Sequence, residues 1–172
     1  MSTTPKKRRE VGEYYIDRKI GSGTYAKVYK VSHKTNNKIY AMKVIDKKKL
    51  EGRHLEANLE LEISIMARYR HRNLVRLHHT MRGPKNIFLV MEYCGGGDLA
   101  GAISKHGPLP ESTVEPLMAQ LACGLEFLWR KNLVHRDIKP QNILMTGDIH
   151  STLKLADFGF ARYLGASHLA ET

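Results

Sequence analysis

The sequence predicts an α+β fold in which antiparallel strands, interrupted by one helix, precede a mainly helical segment. Two observations carry that expectation. First, EYYIDRKI, KVYKVSHK and KIYAMKVI alternate apolar with polar residues and are joined by short turns, the glycine-rich GSGTYA and the pair Asn36-Asn37. Second, beyond Gly97 the apolar spacing changes from that of strands to that of helices.

Taken in order, residues 1–11 read as a flexible basic tail. The three strands follow from Glu13. The stretch LEGRHLEANLELEISIMARYRH then places Leu55, Leu59, Ile63 and Met66 on one helical face, with Glu62 interrupting the stripe. NLVRLHHTMR and NIFLVMEY, separated by Gly83-Pro84, supply two more strands, for five in all. A hinge-like segment runs from Glu92 to Gly97. After it come a short helix, Asp98 to Lys105, and a longer one, Ser112 to Lys131. Ser112 is expected as the N-cap, with Glu115 completing a capping box and Pro116 in the first turn. Leu117, Leu121, Leu125 and Leu128 line one face of that helix. The expected boundaries are 1–11 for the tail, 12–94 for the strand-rich lobe with its hinge, and 95–172 for a partial second lobe.

Composition narrows the class. With 172 residues, 42% hydrophobic and 26% charged, the chain falls in the globular range. Its longest mostly apolar stretch, Ile87 to Cys94, is too short for a transmembrane segment, and MSTTPKKRRE lacks the apolar core of a signal peptide. Cys94 and Cys123 form no spaced framework and read as reduced intracellular thiols, so a cytosolic (cytoplasmic) or nuclear location is expected. The net charge of +11 is spread over Lys6–Arg9, Lys47–Lys49, Arg68–Arg72, Arg130 and Lys131. No stripe interleaves these with aromatics, so they read as solvated faces and no nucleic-acid partner is expected.

Four constellations carry chemistry. Gly21-Ser-Gly-Thr-Tyr-Ala26 joins strand to strand, and its glycines let backbone N–H groups approach phosphate oxygens. A dinucleotide loop would lead into a helix, and a P-loop would end in GK[ST]. Lys43 stands in an apolar strand, YAMKVI, and Glu62 breaks an apolar helix stripe nineteen residues later. Two opposite charges in two apolar surfaces are most simply explained as one ion pair. His135-Arg-Asp-Ile-Lys-Pro-Gln-Asn-Ile-Leu144 sets Asp137, Lys139 and Asn142 in one loop. That places an oxygen to orient a hydroxyl, a cation for a phosphate and a ligand for magnesium within six residues. Asp157-Phe158-Gly159 follows, its carboxylate a second hard-cation ligand.

Together these motifs resemble the protein kinases, from about Tyr14 to Thr172. The resemblance implies a protein-kinase-like fold, with a five-stranded antiparallel N-lobe carrying the αC helix and an incomplete helical C-lobe. It implies ATP and Mg2+ as cofactors. The nucleotide would meet Ile20, Gly21, Ser22, Gly23, Thr24, Tyr25, Ala26 and Val28 in the loop, with Ala41 and Leu144 around the adenine. Met91 corresponds to the gatekeeper, Glu92 and Cys94 to the backbone contacts to adenine, and Asp98 to the residue reaching the ribose. Lys43 and Glu62 would pair, Asp137, Lys139 and Asn142 would serve catalysis, and Asn142 and Asp157 would hold the metal. Met66, Leu77, His135 and Phe158 match the hydrophobic stack of active kinases. Lysine two positions after Asp137 resembles serine/threonine kinases, so proteins bearing Ser or Thr are the implied substrates. Ala26 in place of a third glycine, MEYCGGGDLAGAI, HRDIKPQNIL, LADFGFARYL and the final AET are similar to autophagy-initiating kinases of plant and algal type. That subfamily implies initiation-complex partners and recruitment to autophagosome assembly sites.

The family's APE motif and later helices are not in this sequence, from which a truncated, weakly active or inactive copy is expected, its Ser112–Lys131 helix partly uncovered. A kinase-derived module that binds nucleotide or a partner without turnover is the competing reading, and a serine/threonine kinase of another signalling subfamily is a third.

Overall fold

The computed structural model describes residues 8–50 and 53–165. They form two compact units, one of residues 8–50 and 77–93, the other of 53–76 and 94–165.

The first unit is a sheet of β1 (Glu10–Val11), β2 (Tyr14–Ser22), β3 (Ala26–His33), β4 (Ile39–Asp46), β5 (Leu77–Arg82) and β6 (Asn86–Glu92), with a 3-10 turn, Lys47–Leu50, after β4. Every pairing is antiparallel, in the order β1-β2-β3-β4-β6-β5. The sheet therefore has six strands rather than five. The extra one comes from the expected tail, where Glu10 pairs with Tyr15 and Val11 with Tyr14 after a turn at Gly12, whose φ is +52°. Arg8 also bonds Asp17 at 2.6 Å. Residues 1–7 of that tail lie outside the described residues. Because side chains alternate across a strand, one face collects Tyr14, Val31, Met42 and Val90, flanked by Tyr29, Tyr40, Val44 and Phe88. Val31, Met42 and Val90 are fully buried, each worth about 1.5–3 kcal/mol relative to exposure. β2 is bulged between Ile16 and Arg18 and again between Lys19 and Gly21.

The second unit holds α1 (Arg53–Arg68), α2 (Leu99–His106) and α3 (Glu111–Trp129), with short strands β7 (Gly97–Asp98), β8 (Leu133–Val134), β9 (Ile143–Met145), β10 (Leu153–Leu155) and β11 (Arg162–Tyr163). Strands β10-β9-β7 form one small sheet and β11-β8 another. α1 belongs to this unit rather than with the strands that flank it in sequence. It is shorter than the periodicity suggests and buries Leu59, Glu62, Ile65 and Met66. Residues 73–75 were expected to open β5, but their backbone pairs instead with Leu155, through Leu155 N–H to the Asn73 carbonyl (2.8 Å) and Val75 N–H to the Leu155 carbonyl (3.0 Å).

α3 departs from its expected start. Pro110, extended at φ −60° and ψ 147°, is the N-cap, and its carbonyl accepts from Thr113 and Val114 at 2.9 and 3.0 Å. Ser112 thus lies inside the helix and caps nothing. Pro116 falls in the second turn, where it removes an N–H from the helical ladder. Leu117 and Leu128 are buried and Leu121 and Leu125 half-buried, while Met118 and Trp129 are 40% and 67% exposed. Among the described residues, no helix is long and apolar enough to cross a membrane.

Candidate functional site

In the first unit, strand register aligns the expected nucleotide-binding side chains. Gly21 pairs with Val28, Val28 with Lys43, and Lys43 with Leu89, making a row across β2, β3, β4 and β6. One step along, Ala41 pairs with Met91, and Met91 with Leu77. Paired residues share a face and i, i+2 positions repeat it. Val28, Ala41, Lys43 and Met91 therefore share the face opposite the Tyr14–Met42 cluster, and Glu92 ends β6 opposite Tyr40.

The glycine-rich turn is closed by Gly23 N–H donating to the Ala26 carbonyl at 2.8 Å. The Lys49 ammonium, at the end of the 3-10 turn, donates to the Thr24 carbonyl at 3.4 Å. Ser22, Thr24, Tyr25 and Ile20 are exposed. A Cβ added at Gly23 would meet nothing within 4 Å, and one at Gly21 would make only ordinary contact with Val28. The protein's own atoms thus do not require glycine at Gly23, whereas a group laid against the backbone would. That cradle fits a phosphate chain. Ala26 already lies in β3 opposite Ile45, where a Cβ is accommodated.

In the second unit, the loop after β8 is built on His135, which is 2% exposed. Its Nε2 lies 3.0 Å from the Ala156 carbonyl, which can only accept, and its Nδ1 receives the Asp137 N–H at 3.3 Å. These two bonds select the neutral Nε2–H tautomer. Burial, the largest influence, pushes the imidazole below its ordinary pKa, against the raising effects of the Ala156 bond and of Asp157 and Asp137. The His135 ring also meets Phe158 edge-on at 5.1 Å.

Asp137 is the convergence point. The Lys139 ammonium donates to both its carboxylate oxygens, at 2.9 and 2.8 Å. The Asn142 amide nitrogen donates to its Oδ2 at 2.7 Å and to its carbonyl at 2.9 Å. The Lys139 bonds foremost, then that of Asn142, hold the Asp137 carboxyl below its usual pKa. With its nitrogen committed to Asp137, Asn142 has an amide oxygen to offer a cation. Its carbonyl accepts from Ala156 N–H at 2.9 Å, which sets Asp157 one residue away. One amide oxygen and one carboxylate suit a magnesium ion that takes its other ligands from phosphates and water.

Two backbone positions here are strained. Arg136 and Asp157 have φ of +65° and +63°, a region that non-glycine residues rarely occupy. Arg136 is held by its Nε donating to the Phe160 carbonyl at 2.8 Å. Glu62, buried on α1, reaches the same region: a Cβ at Gly159 would stand 3.7 Å from its Oε2 and 3.4 Å from Asp157 Oδ1. Lys43 belongs to the other unit.

Strand β7 brings together two further expected residues. Asp98 pairs with Leu144, and Gly97 with Met145. Asp98 also caps α2, one carboxylate oxygen accepting from Gly101 N–H at 2.8 Å. Gly96 makes this possible, and the motif reading passed over it. Its N–H donates to the Met145 carbonyl at 2.9 Å, and a Cβ there would lie 1.5 Å from the Gly147 carbonyl oxygen. Cys94, half-buried and in no disulfide, precedes this glycine run.

The chain is 44% identical to the serine/threonine-protein kinase ATG1a of Arabidopsis thaliana, over 95% of this chain and 26% of that protein. It is 41% identical to the serine/threonine-protein kinase atg1 of Dictyostelium discoideum, over 95% of this chain and 25% of that one. It is 42% identical to human serine/threonine-protein kinase ULK3, over 88% of this chain and 32% of that one. The chain thus spans about a quarter of the length of the first two relatives. The family model for the protein kinase domain matches residues 14–172, and with that match the chain belongs to the protein kinase family.

Proposed function

We propose that this chain supplies the nucleotide-binding and catalytic-loop residues of a serine/threonine kinase that transfers the γ-phosphate of ATP to protein hydroxyls. The observation that carries the reading is the convergence of Lys139 and Asn142 on the Asp137 carboxylate. A carboxylate held ionised by two donors makes a weak base. Asp137 therefore acts first by accepting a hydrogen bond from the substrate hydroxyl and aiming it, and receives its proton as the oxygen becomes acidic. Lys139 supplies the cation beside that oxygen. Magnesium, when bound, neutralises and orients the phosphates, and Asn142 Oδ1 and the Asp157 carboxylate are the groups that would hold it.

The row of Gly21, Val28 and Lys43 supports a phosphate and adenine site on the sheet, with Ala41, Met91 and Glu92 on the purine. Asp98 and Leu144, neighbours across β7 and β9, support ribose and adenine contacts. Similarity to kinases named ATG1a and atg1 supports the finer reading of a kinase acting in autophagy initiation. A cytoplasmic location and that complex's partners are part of the same proposal.

The test is transfer of labelled phosphate from magnesium-ATP to a generic serine/threonine substrate by the intact protein. Asp137→Asn is expected to lower the rate by roughly 10²–10⁴-fold with nucleotide binding retained. An unchanged rate in that variant, or label on tyrosine alone, overturns the assignment.

A further inference from the structure

Asn73 is a polar side chain only 1% exposed, in the loop between α1 and β5. Its Nδ2 donates to the Leu153 carbonyl at 3.0 Å and to Gln120 Oε1 on α3 at 3.2 Å. Gln120 Oε1 also accepts the Leu153 N–H at 2.9 Å, and its Nε2 reaches the Ser151 carbonyl at 3.4 Å. Both backbone groups of Leu153 are thus satisfied by side chains, while those of Leu155 are satisfied by the backbone of Asn73 and Val75. Strand β10 pairs with β9 over three residues on one edge. On its other edge, Asn73 and Gln120 stand in for a missing strand.

Gly124, one turn beyond Gln120, allows the approach. A Cβ there would come within 3.3 Å of Asn73 Cβ and 3.4 Å of its carbonyl oxygen. The device is directed at one point in the chain, because Asp157 follows Leu155 by only two residues with no regular element between. On the far side, Ala156 is tied to Asn142 and His135. A shift of β10 therefore moves Asp157 relative to Asn142.

We propose that Gln120 and Asn73 are positioning residues for Asp157, setting its carboxylate against Asn142 Oδ1 by clamping β10. The proposal rests on the reading of Asp157 and Asn142 as magnesium ligands. Partners behind metal ligands tune affinity for the ion even though they never touch it.

The experiment measures binding of a fluorescent ATP analogue to the intact protein across a magnesium titration and in EDTA. Gln120→Leu is expected to raise the magnesium concentration for half-maximal effect by roughly 10-fold and to leave binding in EDTA unchanged. Gln120→Glu keeps the acceptor for Leu153 and Asn73 and should restore the wild-type magnesium dependence. In the nucleotide-free protein, the Leu153 amide should exchange faster in Gln120→Leu only. If that variant fails to fold, Gly124→Ala, which presses on Asn73 without deleting a bond, should shift the magnesium curve in the same direction. Equal weakening with and without magnesium, or an unmoved magnesium curve, overturns the proposal. Asp157→Asn separates the two levels. If it abolishes the magnesium effect while Gln120→Leu does not, the positioning role alone fails. If it leaves the effect intact, the metal reading of Asp157 falls and takes the positioning role with it.

Discussion

The two units place their candidate site residues by different means. In the sheet unit, placement follows from period: long paired strands put Gly21, Val28 and Lys43 in one row, and a mainly apolar cluster behind them holds the register. In the helical unit the strands are two or three residues long, too short to hold a register by themselves. There, placement depends on buried polar side chains (His135, Asn142 and Asn73) whose hydrogen bonds are individually specified. In a periodic surface a substitution is felt through the apolar area it takes out of the core. A hub of single bonds fails at a few positions, and at those it fails through geometry.

Three substitutions bear on that contrast. The largest effect is expected from Met42→Ala in the apolar cluster. Met42 is fully buried, so its truncation should cost about 2–5 kcal/mol in denaturant unfolding of the sheet unit. His135→Leu comes next. It orphans the Ala156 carbonyl and the Asp137 N–H, for about 1–3 kcal/mol, and should accelerate amide exchange around 133–157 more than in the sheet. The smallest effect belongs to Arg130→Ala, which removes a pair with Glu126 whose two side chains are 68% and 57% exposed. About 0.3–0.5 kcal/mol is expected, screened by salt.

A pH titration of stability separates the units further. His135 is held below its ordinary pKa by burial first, as is His71, also by its neighbours Arg72 and Lys154. Unfolding then takes up protons, so their contribution is complete above about pH 6.5 and is lost as pH falls below it. Tyr14 in the sheet is raised above 10.0 by burial foremost, with Tyr40 and Glu13 adding to it. Unfolding releases its proton, so that contribution is lost as pH rises past the ordinary tyrosine value. Segment-resolved exchange should show the helical unit loosening before the sheet in acid, whereas in alkali both units lose a contribution, because Tyr163 in the helical unit is also raised, by its bond with Tyr69 foremost. The reverse order in acid would break the comparison.

Legibility in the sequence divides along the same line. Strand alternation is local, so β2, β3, β4 and β6 and the shared face of Lys43 and Ala41 could be read from spacing. The loop from His135 to Leu144 was legible because its chemistry is packed into consecutive residues. What escaped depends on partners far away in the chain. Asn73 looked like the start of a strand because Leu74 and Val75 are apolar, yet its partners are Gln120 and Leu153. Gly96 belongs to no catalytic motif, and only the Gly147 carbonyl shows why a side chain is forbidden there. Ser112 carried a capping pattern, but Pro110 had already fixed the extended residue from which α3 begins.

The short strand β1 has a consequence for how the molecule behaves among copies of itself. An open sheet edge is a template on which another chain can build a fibril. Here the β2 edge is covered at one end by Glu10 and Val11, with the Arg9 carbonyl accepting from Ile16 N–H at 2.8 Å, then presents Asp17, Arg18 and Lys19 between two bulges. Each of these features interrupts the straight, uncharged ladder that edge-to-edge growth needs. The stretch leading to the glycine-rich turn thus also guards the sheet against aggregation.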